Sequence, residues 1–388
     1  MARKRVLITS VATDPGLSVL RELMEFGYEV VGADWRVLPF GLRSRYLDTV
    51  HRLPKPTDGN FGRCLVELIG TKCPDAFLPL LETKIVSASC SRATEIRSLT
   101  AVNIPNTDAF TAAFDKALCA AECSGLGIPC PEVYTQEEAV RILARGQGQT
   151  ILVVKPRTDA GMARGVQFVG DVESLQRSIL LCEQHFGSAM VQEFVPGDVS
   201  HMHTAVVLFN SNSELIAAFT MQKLRQWPST GGITALGVST NEFHLVEKLL
   251  PFFQKWRWRG PAEIELKLDP RDGQFKVIEI NPRFPGYLRF PMICGVHFGL
   301  LAASLAHNEK TIAPLKYPSY AIGIKYANPS FFLRSAFSDI RSASNVSYRL
   351  KQALADLAFI GPAIASMSND PIPLIGRLLA GIRRSTDR

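Results

Sequence analysis

The stretch that decides how this chain folds is Val277-Ile278-Glu279-Ile280-Asn281-Pro282-Arg283-Phe284, taken with Ala262-Glu263-Ile264-Glu265-Leu266-Lys267-Leu268 just before it. Apolar and polar residues alternate along the earlier run, the period of a half-buried strand. Asp269-Pro270-Arg271-Asp272-Gly273 supplies turn chemistry, and Gln274 to Ile280 returns as a second strand. Successive strand side chains face opposite ways, so this hairpin can set Glu265 and Glu279 side by side on one face. Two adjacent carboxylates repel unless a cation lies between them. Oxygen-only ligation beside the Asn281 amide and Arg283 suits Mg²⁺ holding the phosphates of a nucleotide. Strand register cannot be fixed from sequence, which leaves Glu263 as an alternative first acid. A plainer reading has Asn281-Pro282 opening a turn and Arg283 solvated.

The wider composition is that of an ordinary globular protein. The 388 residues suffice for two or three packed subdomains, with 46% hydrophobic and 20% charged residues. A net charge of +7 fits binding of polyanions such as nucleotides or carboxylates. No aromatic-interleaved basic patch points to nucleic acid. The eight cysteines include no Cys-x-x-Cys pair, and Cys119 and Cys123 lack the histidines a zinc site needs. They read as reduced, buried thiols of a cytosolic protein. Met1-Ala2-Arg3-Lys4-Arg5 runs into the short apolar strand Val6 to Ile8 with no signal-peptide core, and no stretch is long enough to span a bilayer. A cytoplasmic location is therefore expected.

Residues 1–108 alternate strands with helices. Arg5 to Thr9 reads as a strand, Gly16 opens a helix through Phe26, and Tyr28 to Ala33 is the next strand, an order that implies a doubly wound parallel sheet. Asp34 is placed like a ribose-binding acid of a dinucleotide fold, but the turn Ser10 to Gly16 lacks Gly-x-Gly-x-x-Gly, which argues against a nicotinamide cofactor. Pro74 to Pro79 resembles a strand edge, with a helix expected from Glu82. Phe110 to Gly125 reads as one helix carrying Asp115-Lys116. A strand from Gln149 to Lys155 leads into the glycine- and arginine-containing loop Thr158 to Val166, and Met190 to Val195 is a further strand. His203 to Phe209 and Leu215 to Met221 pair as a hairpin across Asn210 to Ser213. Met292 to His307 reads as a helix, and residues 330–388 as an all-helical tail.

Taken in order, Lys116, Lys155 with its glycine loop, Gln192-Glu193-Phe194-Val195 and the Glu265/Glu279/Asn281/Arg283 group resemble the ATP-grasp superfamily over roughly residues 1–310. The resemblance is to the carboxylate–amine ligase branch, with sequences similar to carbamoyl-phosphate synthase large chains and D-aspartate ligases. It implies an α/β, ATP-grasp fold: an N-terminal α/β pre-ATP-grasp domain with a doubly wound parallel sheet over 1–108, a small ATP-grasp subdomain over 109–190, a C-terminal subdomain with the metal site over 191–312, and a helical C-terminal extension over 313–388.

The same resemblance implies roles. Lys116 and Lys155 would grip the phosphates of ATP as point charges, and Gly161 and Gly165 would let a mobile flap close its N–H groups on them. Gln192, Glu193 and Val195 would lie along the adenine, the last two mostly through main chain, and Asp198 would reach the ribose, although it follows Pro196-Gly197 more closely than the family's usual acid. Glu265, Glu279 and Asn281 would hold one or two Mg²⁺ (or Mn²⁺) ions, and Arg283 would stabilise charge on the transferring phosphoryl group. Gln222 to Pro228, followed by Gly231-Gly232, resembles the substrate loop, with Arg225 holding the acceptor carboxylate or acyl phosphate. His201 and His203, two apart on one strand face, read as partner-bonded histidines rather than a metal pair. The implied reaction joins a small-molecule carboxylate to an amine, an amino acid by expectation, through an acyl phosphate, with a homodimer implied by resemblance alone. Carboxylation or other phosphoryl transfer from ATP, or non-catalytic ATP binding, are the alternatives. The amphipathic segment Ile372 to Ile382 would pack on the ligase core, with contact to a membrane or partner as the alternative.

Overall fold

The computed structural model describes residues 4–36, 44–47, 49–81, 90–146, 148–158, 161, 163–228, 231–307, 319–341 and 346–360. The chain opens with β1 (Arg5–Ile8), α1 (Asp14–Glu25), β2 (Glu29–Asp34), β3 (Val50–Arg52), α2 (Phe61–Lys72), β4 (Ala76–Leu78) and α3 (Cys90–Leu99). Its strands form a parallel sheet in the order β3-β2-β1-β4. The first turn is tight because the Gly16 backbone lies against Ser10; a Cβ there would sit 2.1 Å from the Ser10 carbonyl oxygen. Asp34 is buried and accepts from the Ala12 N–H at 2.9 Å while pairing with Arg36 at 3.1 Å. The residue placed like a ribose acid thus closes its own crossover turn.

A second unit contains α4 (Thr107–Phe114), α5 (Lys116–Gly125), β5 (Val133–Tyr134), α6 (Gln136–Arg145), β6 (Leu152–Pro156), β7 (Gln167–Val169), α7 (Val172–Phe186) and β8 (Ala189–Glu193). The strands pair antiparallel in the order β5-β8-β6-β7, backed by Ala139 and Leu143 of α6 and Leu175 and Cys182 of α7. The single helix expected from Phe110 to Gly125 is two helices. Asp115 breaks it in an extended conformation, φ −81° and ψ 107°, because its carboxylate accepts from the N–H groups of Ala117 and Leu118 and starts α5 afresh.

The largest sheet is antiparallel. It is built from β9 (Met202–Phe209), β10 (Leu215–Trp227), β11 (Ile233–Thr240), β12 (Gly260–Leu268), β13 (Phe275–Asn281) and β14 (Lys325–Ala327), in the order β13-β12-β9-β10-β11-β14. The helix α8 (Phe243–Lys255) covers one face, where Ala205, Val207 and Phe209 of β9 meet Leu245, Leu249 and Phe253. Val206 and Leu208, pointing the other way, join a core shared with Val19 and Leu20 of α1 and with Phe284 and Phe290. The helix expected from Met292 to His307 is also divided, into α9 (Arg289–Ile293) and α10 (Phe298–Ala306), with Gly295 at φ +101° between them. The extension expected to be helical over 313–388 is not all helix: β14 (Lys325–Ala327) pairs with β11 at the edge of the large sheet, and α11 (Pro329–Arg341) and α12 (Val346–Asp356) follow it. The helix expected from Glu82 begins, and Ile372 to Ile382 lies, outside the described residues.

Candidate active site

The β12–β13 hairpin puts Glu265 directly opposite Glu279 and Glu263 opposite Asn281. Glu263 and Glu265 are two residues apart on one strand, so both of the acids left open by the sequence share a face with Glu279 and Asn281. Ile264 and Ile280, on the other face, are buried against the α8 core and lock this register, since a one-residue slip would bury the acids instead. A register shift follows Glu265: Leu266 pairs with Val277, leaving Ile278 as an extra, bulged residue. Its carbonyl accepts from Lys155 Nζ at 3.4 Å.

Three lysines reach this face. Lys155 on β6 is buried among apolar strand neighbours. Lys116 begins α5 and lies 3.2 Å from Glu279. The Asp115 carboxylate that caps α5 also grips Arg157, at 3.1 Å through Nε, and the Lys116 N–H donates to the Arg157 carbonyl at 2.8 Å. That clamp holds the start of α5 against the end of β6 and so brings the two lysines to one place. The third lysine, Lys223 on β10, is 1% exposed, donates to the Gly232 carbonyl at 3.2 Å and pairs with Glu265 at 3.1 Å. The sequence does not single out Lys223: Lys155 is marked by ending an apolar strand beside a glycine loop, whereas Lys223 lies within the run Gln222 to Pro228 that resembles a substrate loop.

The electrostatics are unbalanced. Burial, then the neighbouring Lys116 charge, lower the Lys155 ammonium to about 8, a bias of about 3 kcal/mol against its charged form. Burial pushes the Glu265 carboxyl up to about 7, reinforced by Glu279 and Glu263 and only partly opposed by Lys223. Burial would raise Glu279 too, but Lys116, the Asn281 amide and Lys155 outweigh it and hold this carboxyl below the usual range. Asn281 donates to Glu279 at 2.9 Å. Arg283 pairs with Glu263 at 2.7 Å.

The other expected residues are placed as follows. Gly161 and Gly165 both take positive φ, +71° and +80°, in the loop between β6 and β7, and a Cβ on Gly231 would lie 3.4 Å from Ala163 Cβ of that loop. The flap therefore touches the turn between β10 and β11. The expected substrate loop is ordered strand through Trp227, and Arg225 on it pairs with Asp356 of α12 at 3.0 Å beneath the Phe332 ring. Gln192 is buried and donates to the Pro131 carbonyl, and the Glu193 N–H donates to the Glu132 carbonyl at 2.8 Å. The Glu193 carboxylate binds Arg271 and Lys276, and the Val195 carbonyl accepts from Lys267 at 2.8 Å. Asp198 accepts from Ser200 and His201 and caps the short 3-10 turn Val199–His201. His201 ends that turn while His203 lies on β9, so the two do not share a strand; His203 pairs with Glu242 at 2.7 Å.

Among the described residues, no three or more His, Cys, Asp or Glu side chains are grouped to hold a metal ion by themselves. Two facing carboxylates and an amide fit a hard divalent ion that takes its remaining oxygens from phosphates and water. Burial is the first cause of both the raised Glu265 carboxyl and the lowered Lys155 ammonium, so a cation beside the one and an anion beside the other would favour their charged forms.

A three-layer parallel unit, a small antiparallel sheet carrying a lysine and a glycine flap, and a large antiparallel sheet presenting paired acids make this the ATP-grasp fold. No family model matches the sequence. The chain is 28% identical to the D-aspartate ligase of Enterococcus faecium (strain Aus0004) over 96 residues, which are 24% of this chain and 23% of that protein. Its structure is similar to the biotin carboxylase–βγ-ATP complex from Campylobacter jejuni, with a TM-score of 0.66 at 15% identity, covering 84% of this chain and 74% of that one. It is also similar to N5-carboxyaminoimidazole synthetase from Staphylococcus aureus, with a TM-score of 0.58 at 14% identity and 78% of each chain covered.

Proposed function

We propose that the protein is an ATP-dependent ligase that joins a carboxylate to an amine through an acyl phosphate, releasing ADP and phosphate. The observation that carries this reading is the register-paired Glu265 and Glu279 on one face with Lys116, Lys155 and Lys223. Glu265, Glu279 and Asn281 would hold Mg²⁺, which when bound shields the phosphate charge and polarises the γ-phosphoryl group. Lys116 and Lys155 would hold the phosphates by charge, and the loop carrying Gly161 and Gly165 would close over them and exclude water. The acceptor carboxylate would then attack the γ-phosphorus in line, with Arg283 stabilising equatorial charge. The amine next displaces phosphate from the acyl carbon. Positioning and electrostatics supply the catalysis, so no Ser or Cys nucleophile is required.

The nucleotide's adenine would lie near Val195, whose carbonyl already engages Lys267; the Glu193 side chain, bound by Arg271 and Lys276, would position the strand rather than touch the ring. A second reading, carboxylation with bicarbonate as the acid, is favoured by the fold likeness to biotin carboxylase. Paired-substrate screening separates the two. With amino acids and small carboxylates offered singly and together, the ligase reading expects phosphate release only when an acid and an amine are both present. Phosphate release that needs bicarbonate and no amine would replace it with the carboxylation reading.

A further inference from the structure

Away from the acid–lysine face, three exposed arginines lie at the junction of α3, the start of α4 and the connection from α8 to β12. Arg97, Arg257 and Arg259 line an open cleft of about 390 Å³, and Arg257 and Arg259 also line an adjoining open cleft of about 440 Å³. Among the described residues, no carboxylate pairs with any of the three, whereas Arg157, Arg271 and Arg283 each have an acid partner. Burial and the neighbouring Arg259 charge both lower the Arg97 guanidinium, so like charges lie near each other with no counter-ion among the described residues.

The backbone beside these exposed arginines is closely packed. Gly260, directly after Arg259, has φ +77°, and a Cβ there would lie 2.3 Å from the Asn103 carbonyl oxygen. This contact presses the α8–β12 connection against the segment leading into α4. Asn106, which caps α4 by accepting from the Ala109 N–H, lines the first cleft, so the positive end of that helix faces the same space. Ser211 and Ser213, from the β9–β10 turn, line the second cleft with hydroxyl donors.

We propose that the two clefts form one binding site for a small molecule carrying two or more phosphate groups. Guanidinium forks match phosphate oxygens in pairs, and cleft volumes of this size accommodate a small ligand. Two clefts joined through shared arginines suit anionic groups at both ends of one molecule. The site is separate from the acid–lysine face, because it lies where β12 begins, beside α8, which packs on the sheet's opposite face. A bound polyanion would join the N-terminal unit to the strand that carries Glu263 and Glu265.

Calorimetric titration of the full chain with tripolyphosphate tests this, using wild type, Arg97→Gln/Arg259→Gln and Lys155→Met. Lys155→Met weakens phosphate binding at the acid–lysine face, where Lys116 remains, so a binding component that this variant leaves unchanged reports the arginine clefts. The expected result is a binding component that survives in Lys155→Met and weakens at least about tenfold in the double arginine variant. Arg259→Lys, which keeps the charge but not the fork, should weaken it by a smaller factor. Without ligand, the double variant should melt no lower than wild type, since it loses only like-charge repulsion. An unchanged titration in Arg97→Gln/Arg259→Gln would overturn the proposal. So would a short RNA that binds more tightly than tripolyphosphate and is lost in the same variant.

Discussion

The β12–β13 hairpin carries two ion clusters, one on its face and one at its tip, and they are built to opposite ends. At the tip, Asp269 is fully buried and accepts from Arg271 Nε at 2.9 Å and pairs with Lys276 at 3.0 Å. Arg271 and Lys276 also bind Glu193 on β8, so the tip ties the small sheet to the large one. Arg271, first, holds the Asp269 carboxyl far below its ordinary value; burial opposes the same shift at Glu193, where Arg271 and Lys276 prevail. On the face, by contrast, Glu265 is pushed up and Lys155 down. A cluster that depresses all of its carboxyls is satisfied by the chain itself, whereas one that leaves an acid raised and an amine lowered is arranged for charge brought from outside. The first stabilises the fold, and the second is the site we propose.

The largest test of that contrast is Glu279→Ala. Removing one of the paired acids should lower substrate-dependent ATP turnover by about 10²–10³-fold, the loss typical of an electrostatic group acting in the transition state. Circular dichroism should still show a folded protein, but the melting temperature should fall, because Lys116 and Lys155 lose the carboxylate that offsets their charge; turnover is therefore read per folded molecule. Turnover unchanged in the presence of the true substrates would remove Glu279 from the metal site.

Asp269→Asn should do the reverse. It leaves Arg271 and Lys276 with one acid instead of two, so denaturant unfolding should show a loss of about 1–3 kcal/mol, with turnover per folded molecule little changed. The pH dependence follows. Asp269 and Glu193 have folded values below their unfolded ones, so their contribution is complete above the unfolded carboxylate range, near pH 4, and is lost as pH falls through the folded values. Wild type should therefore lose stability on acidification below about pH 4, and the variant should lose less of it over the same range. Equal acid slopes would show that the tip cluster is not what the acid limb reports.

The two clusters were not equally legible. The face is legible because Glu265 and Glu279 sit in alternating runs joined by an obvious turn, and because Lys155 ends an apolar strand beside a glycine loop. Lys223 lacks that mark, since its run, Gln222 to Pro228, resembles a substrate loop and points to Arg225 instead. The break at Asp115 is harder, since an aspartate within an apolar-periodic run reads equally as helix interior or as cap. What settles it is Arg157, 42 residues on, whose guanidinium the Asp115 carboxylate also holds. The tip cluster was out of reach for the same reason. Asp269 and Arg271 read as turn residues until Glu193, 78 residues from Arg271, is folded against them.

Arg225 stands between the two kinds of site and offers the smallest effect. It was read as a substrate-binding residue, yet its guanidinium pairs with Asp356 of α12 at 3.0 Å, both side chains being largely screened from solvent. If Arg225 binds the acceptor carboxylate, Asp356 competes with that substrate and should be displaced by it. Asp356→Asn would then lower KM for the acceptor a few-fold at nearly constant kcat, since it removes a ground-state rival without touching the transition state. Stability should fall by no more than about 1 kcal/mol, the range for a partly exposed ion pair. If the pair is instead a fixed brace for α12, like the cluster at the hairpin tip, KM for the acceptor will not move and the melting temperature alone will drop. That result would assign Arg225 to the fold and return the search for the acceptor's anchor to Arg283 and Lys223.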